Sequence, residues 1–342
     1  MDSLPPELVL DILDNARQSV KAPRRLLKRC SLVNRLFRNC AQHLLFKHYS
    51  RIRGIDEVAG WLAADASEAT ESLQLRLPAE KGGDEAVLAA AAREQEELLV
   101  AVLTRPERLK ELELHLTSCV LTSVLSLSSL HNLECLKLTA DHYHDETGFV
   151  EGAAPPAFQL HSLEVDPFVS PRLLDSLLPA LSSLRALTAS VHYWHDTDPI
   201  IALASILEAS NTTLDFFSLS MPDEPVCIDH ISPALYSLSS LSTFEWHGAM
   251  CECCDALVLP SLPSSVKTLV LDAAPYDAGA FLVSDQLLAE EPATTINGEL
   301  LLPNLETLGV PSRTKKTLAR SELQKARLRG IEVKGVRAVS IL

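Results

Sequence analysis

The sequence predicts an α/β protein: a small N-terminal helical module followed by a solenoid with a curved parallel sheet and helices on its convex side. Three observations predict this fold. A short apolar unit recurs at nearly even spacing, helical stretches separate its copies, and the composition is rich in leucine and poor in aromatics. With 342 residues, 47% of them hydrophobic, the chain is long enough to bury a sizeable core.

The net charge conceals a strong asymmetry along the chain. Although the formal net charge is −15, residues 15–55 contain eleven Lys or Arg and no Asp or Glu. Residues 56–312 hold ten basic and 39 acidic side chains. Because this acidic body repels phosphates, we expect no nucleic-acid partner. An acidic protein partner fits the basic segment better, and a merely solvated basic face is the alternative.

Several classes of function lack their signatures in the sequence. No apolar run approaches the roughly 18 residues of a membrane span, so no membrane partner is expected. The first charges are acidic, unlike those of a secretory signal, and the eight cysteines are irregularly spaced, which favours reduced thiols in the cytoplasm or nucleus. Phosphate-binding glycine motifs and common hydrolase motifs do not occur. We therefore expect a non-catalytic protein without a cofactor.

The N-terminal segment predicts a short amphipathic helix. Pro5 and Glu7 are typical of a first helical turn, because proline lacks an N–H that would be unpaired there and an acid suits the helix dipole. Leu8, Ile12 and Leu13 form one apolar stripe. A helix of roughly ten residues is unstable alone, so another surface must cover the stripe. After Pro23, apolar residues alternate with basic ones, which predicts two or three further short helices.

These motifs, taken in order, resemble those of the F-box family. The chain reads LPPEL at residues 4–8, SLVNRLFR at 31–38 and LLF at 44–46. The resemblance implies that residues 1–53 dock on a Skp-type adaptor and so join a cullin–RING ubiquitin ligase. The alternative is that these helices only cap the larger domain. The adaptor-binding residues that the resemblance implies are Leu4, Pro5, Leu8, Ile12, Leu13, Leu32, Val33 and Phe37.

An apolar-x-x-apolar-x-apolar unit recurs along residues 54–342. Its central residues are mostly 24 to 30 positions apart, close to the period of leucine-rich repeats. Two steps of 39 residues predict insertions near 78–100 and 273–300. Alternate residues in each copy are apolar, which predicts about nine strands. An earlier, alternating copy is Leu73/Leu75/Leu77, in which Leu73 lies 39 residues before Leu112. The other copies are Leu109/Leu112/Leu114, Leu133/Leu136/Leu138, Leu160/Leu163/Val165, Leu184/Leu187/Ala189, Leu214/Phe217/Leu219, Leu241/Phe244/Trp246, Val266/Leu269/Leu271 and Leu305/Leu308/Val310.

The segments between the copies predict helices, so the strands are expected to run parallel. The tail over 314–342 is expected to close the stack with a capping helix and a last strand. Degenerate leucine-rich repeats behind an F-box resemble fungal-type substrate receptors, which implies that the concave repeat surface binds a protein substrate. A non-catalytic repeat scaffold is the alternative. The predicted helices are 86–103, 171–181, 199–209 and 230–241.

Two loops and one cluster are the candidate sites of the repeat region. Each loop follows a repeat strand and is rich in histidine and aromatic residues, which suits protein contact better than metal binding or acid–base chemistry. The cluster, residues 247–254, holds His247 and a C-x-x-C pair, Cys251 and Cys254. Because structural zinc needs four ligands and no second pair occurs, no metal site is expected, although a metalloprotein is a further alternative. The candidate substrate-binding residues are His142, Tyr143, His192, Tyr193 and Trp194.

Overall fold

The structure is a computed structural model of the chain. It describes residues 4–63, 68–76, 85–116, 122–140, 154–166, 168–191, 198–221, 230–248, 258–272, 302–311 and 320–336. These residues form an α/β fold with eleven parallel strands, and the strands are ordered as they occur in the chain. The described residues divide into two compact units, the first ending at Phe158 and the second beginning at Gln159. Within the described ranges no helix is long and apolar enough to cross a membrane.

Three helices open the first unit. Helix α1 begins at Pro6 rather than Pro5, which is its N-cap, and it is longer than the roughly ten residues expected from the sequence. Proline also stands at the first position of α2, where no intrahelical N–H is needed. The N-cap of α3 is Asn34, whose Oδ1 accepts a hydrogen bond of 2.9 Å from the backbone N–H of Phe37. The bounds are α1 Pro6–Ser19, α2 Pro23–Cys30 and α3 Arg35–Tyr49.

A parallel sheet of four strands completes the first unit. The register aligns the apolar centres of successive repeats, because Leu73 pairs with Leu112 and Leu112 pairs with Leu136. Strand β1 follows α3 directly and pairs with β2. The elements are β1 Ser50–Ile52, α4 Ile55–Leu62, β2 Ser72–Arg76, α5 Glu85–Leu103, β3 Glu111–Leu116, α6 Thr122–Leu125 and β4 Cys135–Ala140.

Seven parallel strands run through the second unit. Residues of one apolar row, from Leu163 through Leu187 and Phe217 to Phe244, are paired across successive strands and are fully buried. The elements are β5 Ser162–Val165, α7 Pro171–Leu177, β6 Ala186–Ser190, α8 Asp198–Ala209, β7 Phe216–Met221, α9 Ser232–Tyr236, β8 Thr243–Gly248, α10 Val258–Ser261, β9 Thr268–Asp272, β10 Thr307–Pro311, α11 Arg320–Leu328 and β11 Glu332–Val336.

The structure tests the elements that the sequence predicts. Helices α5 and α8 confirm the helices predicted over 86–103 and 199–209, and α11 with β11 confirms the closing helix and strand. Of the helix predicted over 171–181, α7 forms Pro171–Leu177, and a 3-10 turn continues it over Leu178–Ala180. The helix predicted over 230–241 is too long, since α9 ends at Tyr236. The serines that follow bond to the backbone instead: Ser237 Oγ donates to the carbonyl of Ala234 at 2.7 Å, and Ser239 N–H donates to Asn211. The insertion expected near 273–300 lies outside the described residues.

Candidate functional site

The three N-terminal helices share a small apolar core. Helix α1 packs against both α2 and α3, and α2 packs against α3. One polar contact also joins them, since the Cys40 thiol lies 3.6 Å from the carbonyl oxygen of Pro6. Burial raises the pKa of the Cys40 thiol, so the group stays neutral. The buried core residues are Val9, Leu13, Leu27, Cys40, Ala41 and Leu44.

Helix α1 has an apolar face that this core does not cover. Leu8 and Ile12 are 44% and 47% exposed, and Leu4, which precedes the N-cap Pro5, is 45% exposed. By contrast, the neighbouring Val9 is fully buried. Side chains four residues apart lie on the same side of a helix, so Leu8 and Ile12 form a stripe that points away from the core. The helix therefore carries two apolar faces, one buried and one exposed.

The turn between α2 and α3 exposes two more apolar side chains. Leu32 is 79% exposed and Val33 is 66% exposed. Polar contacts hold this turn, because Ser31 Oγ donates to the carbonyl of Lys28 at 2.8 Å and Arg38 Nε donates to the carbonyl of Ser31 at 3.3 Å. The turn thus has its own hydrogen bonds, and its two apolar side chains point into solvent.

Exposed apolar side chains concentrate in this part of the molecule. Of the nine large hydrophobic residues that are exposed in the described ranges, six lie between Leu4 and Val33. Burying one such side chain completely is worth about 1.5–3 kcal/mol. We call Leu4, Leu8, Ile12, Leu32 and Val33 together the exposed apolar set.

The remaining adaptor-binding residues of the sequence prediction have other positions. Pro5 is exposed as the N-cap of α1, Leu13 is only 3% exposed and belongs to the helical core, and Phe37 is half-buried against that core. The structure also exposes Val20, which the sequence motif does not include. In the sequence, Val20 could have been found as an apolar residue between Ser19 and Lys21, directly after the end of the helix.

A polar cluster lies on strands β8 and β9 of the second unit. His247 Nε2 lies 3.3 Å from a carboxylate oxygen of Glu245, and its Nδ1 lies 3.8 Å from a carboxylate oxygen of the buried Asp272. The hydrogen bond to Glu245, together with the charge of both acids, raises the pKa of His247 although burial opposes this. This imidazole is therefore engaged by carboxylates on its own strand and the next.

The other candidates from the sequence fall on undescribed segments. His142, Tyr143, His192, Tyr193 and Trp194 lie outside the described residues, as do Cys251 and Cys254. Among the residues that the structure does describe, no group of three or more His, Cys, Asp or Glu could hold a metal ion.

No protein-family model and no curated protein matches the sequence.

Proposed function

We propose that the chain is the substrate-recognition subunit of a cullin–RING (SCF-type) ubiquitin ligase and has no catalytic activity of its own. Residues 1–53 act as an F-box that docks on a Skp-type adaptor, and the repeats that follow bind the protein substrate. The observation that carries this proposal is the exposed apolar set. Five of the eight residues that the F-box resemblance implies for adaptor binding are exposed there.

Charge around the exposed apolar set favours an acidic partner. Helix α2 carries Arg24, Arg25, Lys28 and Arg29 and no acidic residue. An interface with an apolar centre and a rim of one charge selects partners of the opposite charge and speeds their association. An acidic adaptor with an apolar groove has this complementary chemistry.

The repeat region supplies the surface that we assign to the substrate. In the second unit, the residues that alternate with the buried row include Glu164, Thr188 and Glu245, which are half-buried and polar. The register pairs Glu164 with Thr188 on neighbouring strands, and the buried Ser218 on β7 lies between Thr188 and Glu245. Repeat proteins bind their partners on an extended face of the sheet, and polar side chains on successive parallel strands provide such a face. The leucine-rich-repeat solenoid of the sequence prediction is part of this proposal.

The adaptor proposal is tested by co-purification of the full chain with a Skp-type adaptor. Leu8→Asp and Ile12→Asp place a charge in the exposed apolar set and should abolish adaptor binding while the far-UV circular dichroism spectrum and the melting temperature stay unchanged. Ile201→Asp is the matched control, because Ile201 is 49% exposed on the second unit and should leave binding intact. Adaptor binding that survives both α1 substitutions would contradict the proposal.

The alternative function is a scaffold whose N-terminal helices only cap the sheet. It is favoured by the direct continuation of α3 into β1 and by two contacts with Glu71, the residue before strand β2. The Glu71 N–H donates to the carbonyl of Lys47 at 2.8 Å, and Lys47 Nζ lies 3.1 Å from the Glu71 carboxylate. In a scaffold, no adaptor co-purifies with the wild-type chain, so the same experiment separates the two functions.

A further inference from the structure

A basic pocket lies in the first unit, apart from the exposed apolar set. Its volume is about 740 Å³, within the range of about 300–1,000 Å³ that is usual for small-molecule sites. Five basic side chains and a single acidic one line it, together with the start of helix α2. The charged lining residues are Arg24, Arg25, Lys28, Arg51, Arg53 and Glu57.

The basic side chains come from two parts of the chain that the fold brings together. Helix α2 supplies three of them, and the segment that begins in strand β1 supplies Arg51 and Arg53. Glu57 is engaged, because its carboxylate accepts a hydrogen bond of 2.7 Å from the backbone N–H of Arg53. Within the described part of the chain, none of the five basic side chains forms an ion pair. The pocket therefore concentrates positive charge, with Glu57 as its single acidic lining residue, in a chain whose net charge is negative.

Arg51 shows most clearly the free-energy cost of holding these cations close together. Its Nε is buried and has no hydrogen-bond acceptor among the described residues. Burial lowers the pKa of Arg51, and the neighbouring cations Arg53, Arg24 and Arg76 lower it further, whereas Glu113 on strand β3 opposes them. A buried donor without a partner is costly, and so are cations held close together. An anion in the pocket offsets the repulsion among these cations.

We propose that this pocket binds a small molecule that carries several clustered phosphate groups. The guanidinium group matches phosphate oxygens with two parallel hydrogen bonds, and four of the five cations are arginines. A single phosphate engages one or two such groups, so five cations around one cavity suit a ligand with several phosphates. The start of α2 adds favourable backbone polarity, because N–H groups of a first helical turn point outward.

This proposal does not depend on the adaptor proposal. The pocket lining includes none of the eight adaptor-binding residues, although Arg24, Arg25 and Lys28 of helix α2 also belong to the basic charge that favours an acidic adaptor. Leu8→Asp and Ile12→Asp should leave phosphate binding intact, and Arg51→Gln, which lies outside helix α2, should leave adaptor binding intact, so the two proposals are tested separately.

The test is isothermal titration calorimetry of the full chain with orthophosphate, pyrophosphate and tripolyphosphate at fixed ionic strength. Affinity should rise along this series, since each added phosphate reaches further cations. Arg25→Gln combined with Arg51→Gln should weaken tripolyphosphate binding at least about tenfold, because two charge-assisted contacts are lost. Arg29→Gln is the matched control, since Arg29 lies on the same helix outside the pocket lining and should change affinity less than about twofold.

Three results would overturn the proposal. They are the absence of saturable tripolyphosphate binding at millimolar concentration, equal weakening by Arg29→Gln, and tighter binding of a phosphoserine peptide than of tripolyphosphate. The last result would assign the pocket to a protein ligand. The melting temperature of the double variant is measured alongside to detect unfolding, and the single variant Arg25→Gln, at an exposed position, repeats the titration.

Discussion

Replacing Phe217 by alanine tests whether the second unit is held together strand by strand. Phe217 is fully buried in β7, pairs with Leu187 on β6 and Phe244 on β8, and its ring centroid lies 5.6 Å from that of Phe244. Truncating a buried phenylalanine costs about 3–5 kcal/mol, of which about 0.5–1.5 kcal/mol comes from the aromatic pair. For a unit of this size, such a loss lowers the melting temperature by about 6–20 °C.

Urea unfolding followed by circular dichroism measures this loss of stability, and hydrogen exchange locates it. Because β7 pairs only with its neighbours in the chain, exchange should increase most in β6, β7 and β8 and least in β10 and β11. Phe216→Ala is the matched control, since Phe216 is half-buried on the other side of the same strand and should cost less than about half as much. Equal costs for the two variants, or uniform loss of protection across the unit, would refute the reasoning.

Three further substitutions probe single interactions. Because the pKa of His247 is raised in the folded state, its stabilising contribution to the free energy of unfolding is complete below about pH 6.5 and disappears as pH rises through the folded-state pKa. In urea titrations, His247→Gln should remove this decrease of the free energy of unfolding with rising pH. Asn34→Ala removes the N-cap of α3 and should lower the free energy of unfolding by about 1 kcal/mol, whereas Asn34→Asp should preserve it. Gly330 has φ +76°, and no atom lies within 4 Å of the place that a Cβ would occupy. Gly330→Ala should therefore lower the free energy of unfolding by about 1 kcal/mol through backbone strain alone. A decrease smaller than the error of the urea experiment would contradict this.

The repeat register could be predicted from the sequence because it depends on local pattern. Strand alternation sends every second residue to the core, so aligning the apolar triplets aligns the strands. The structure pairs Leu112 with Leu136 and Phe217 with Phe244, the central residues of successive triplets. Strand β1 was not predicted because its three residues are too few for an alternation to be recognised.

The faces of α1 could be predicted only in part. Apolar residues occur at both Leu8 and Ile12 and at Val9 and Leu13, so the pattern contains two stripes of equal strength. Only packing against α2 and α3 decides that Val9 and Leu13 turn inward. The sequence pattern therefore grouped Leu13 with the exposed residues, whereas the structure buries it. Likewise, the sequence shows that residues 15–55 contain no acidic side chain. Only the tertiary structure brings Arg51 and the basic residues of α2 to the same pocket.

The register of the second unit also bears on how such a chain can change in length. Leu187, Phe217 and Phe244 occupy equivalent places on three successive strands. Deleting one whole strand-to-strand interval would bring β8 beside β6, with Phe244 opposite Leu187. Each apolar side chain of β8 would then pack against an apolar side chain of β6 in the equivalent position. A single residue inserted within strand β8 would instead turn Glu245 toward the core. The chain can therefore gain or lose a whole strand-to-strand interval while neighbouring strands still pair through the same apolar row. Single-residue insertions are tolerated only in the segments between strands.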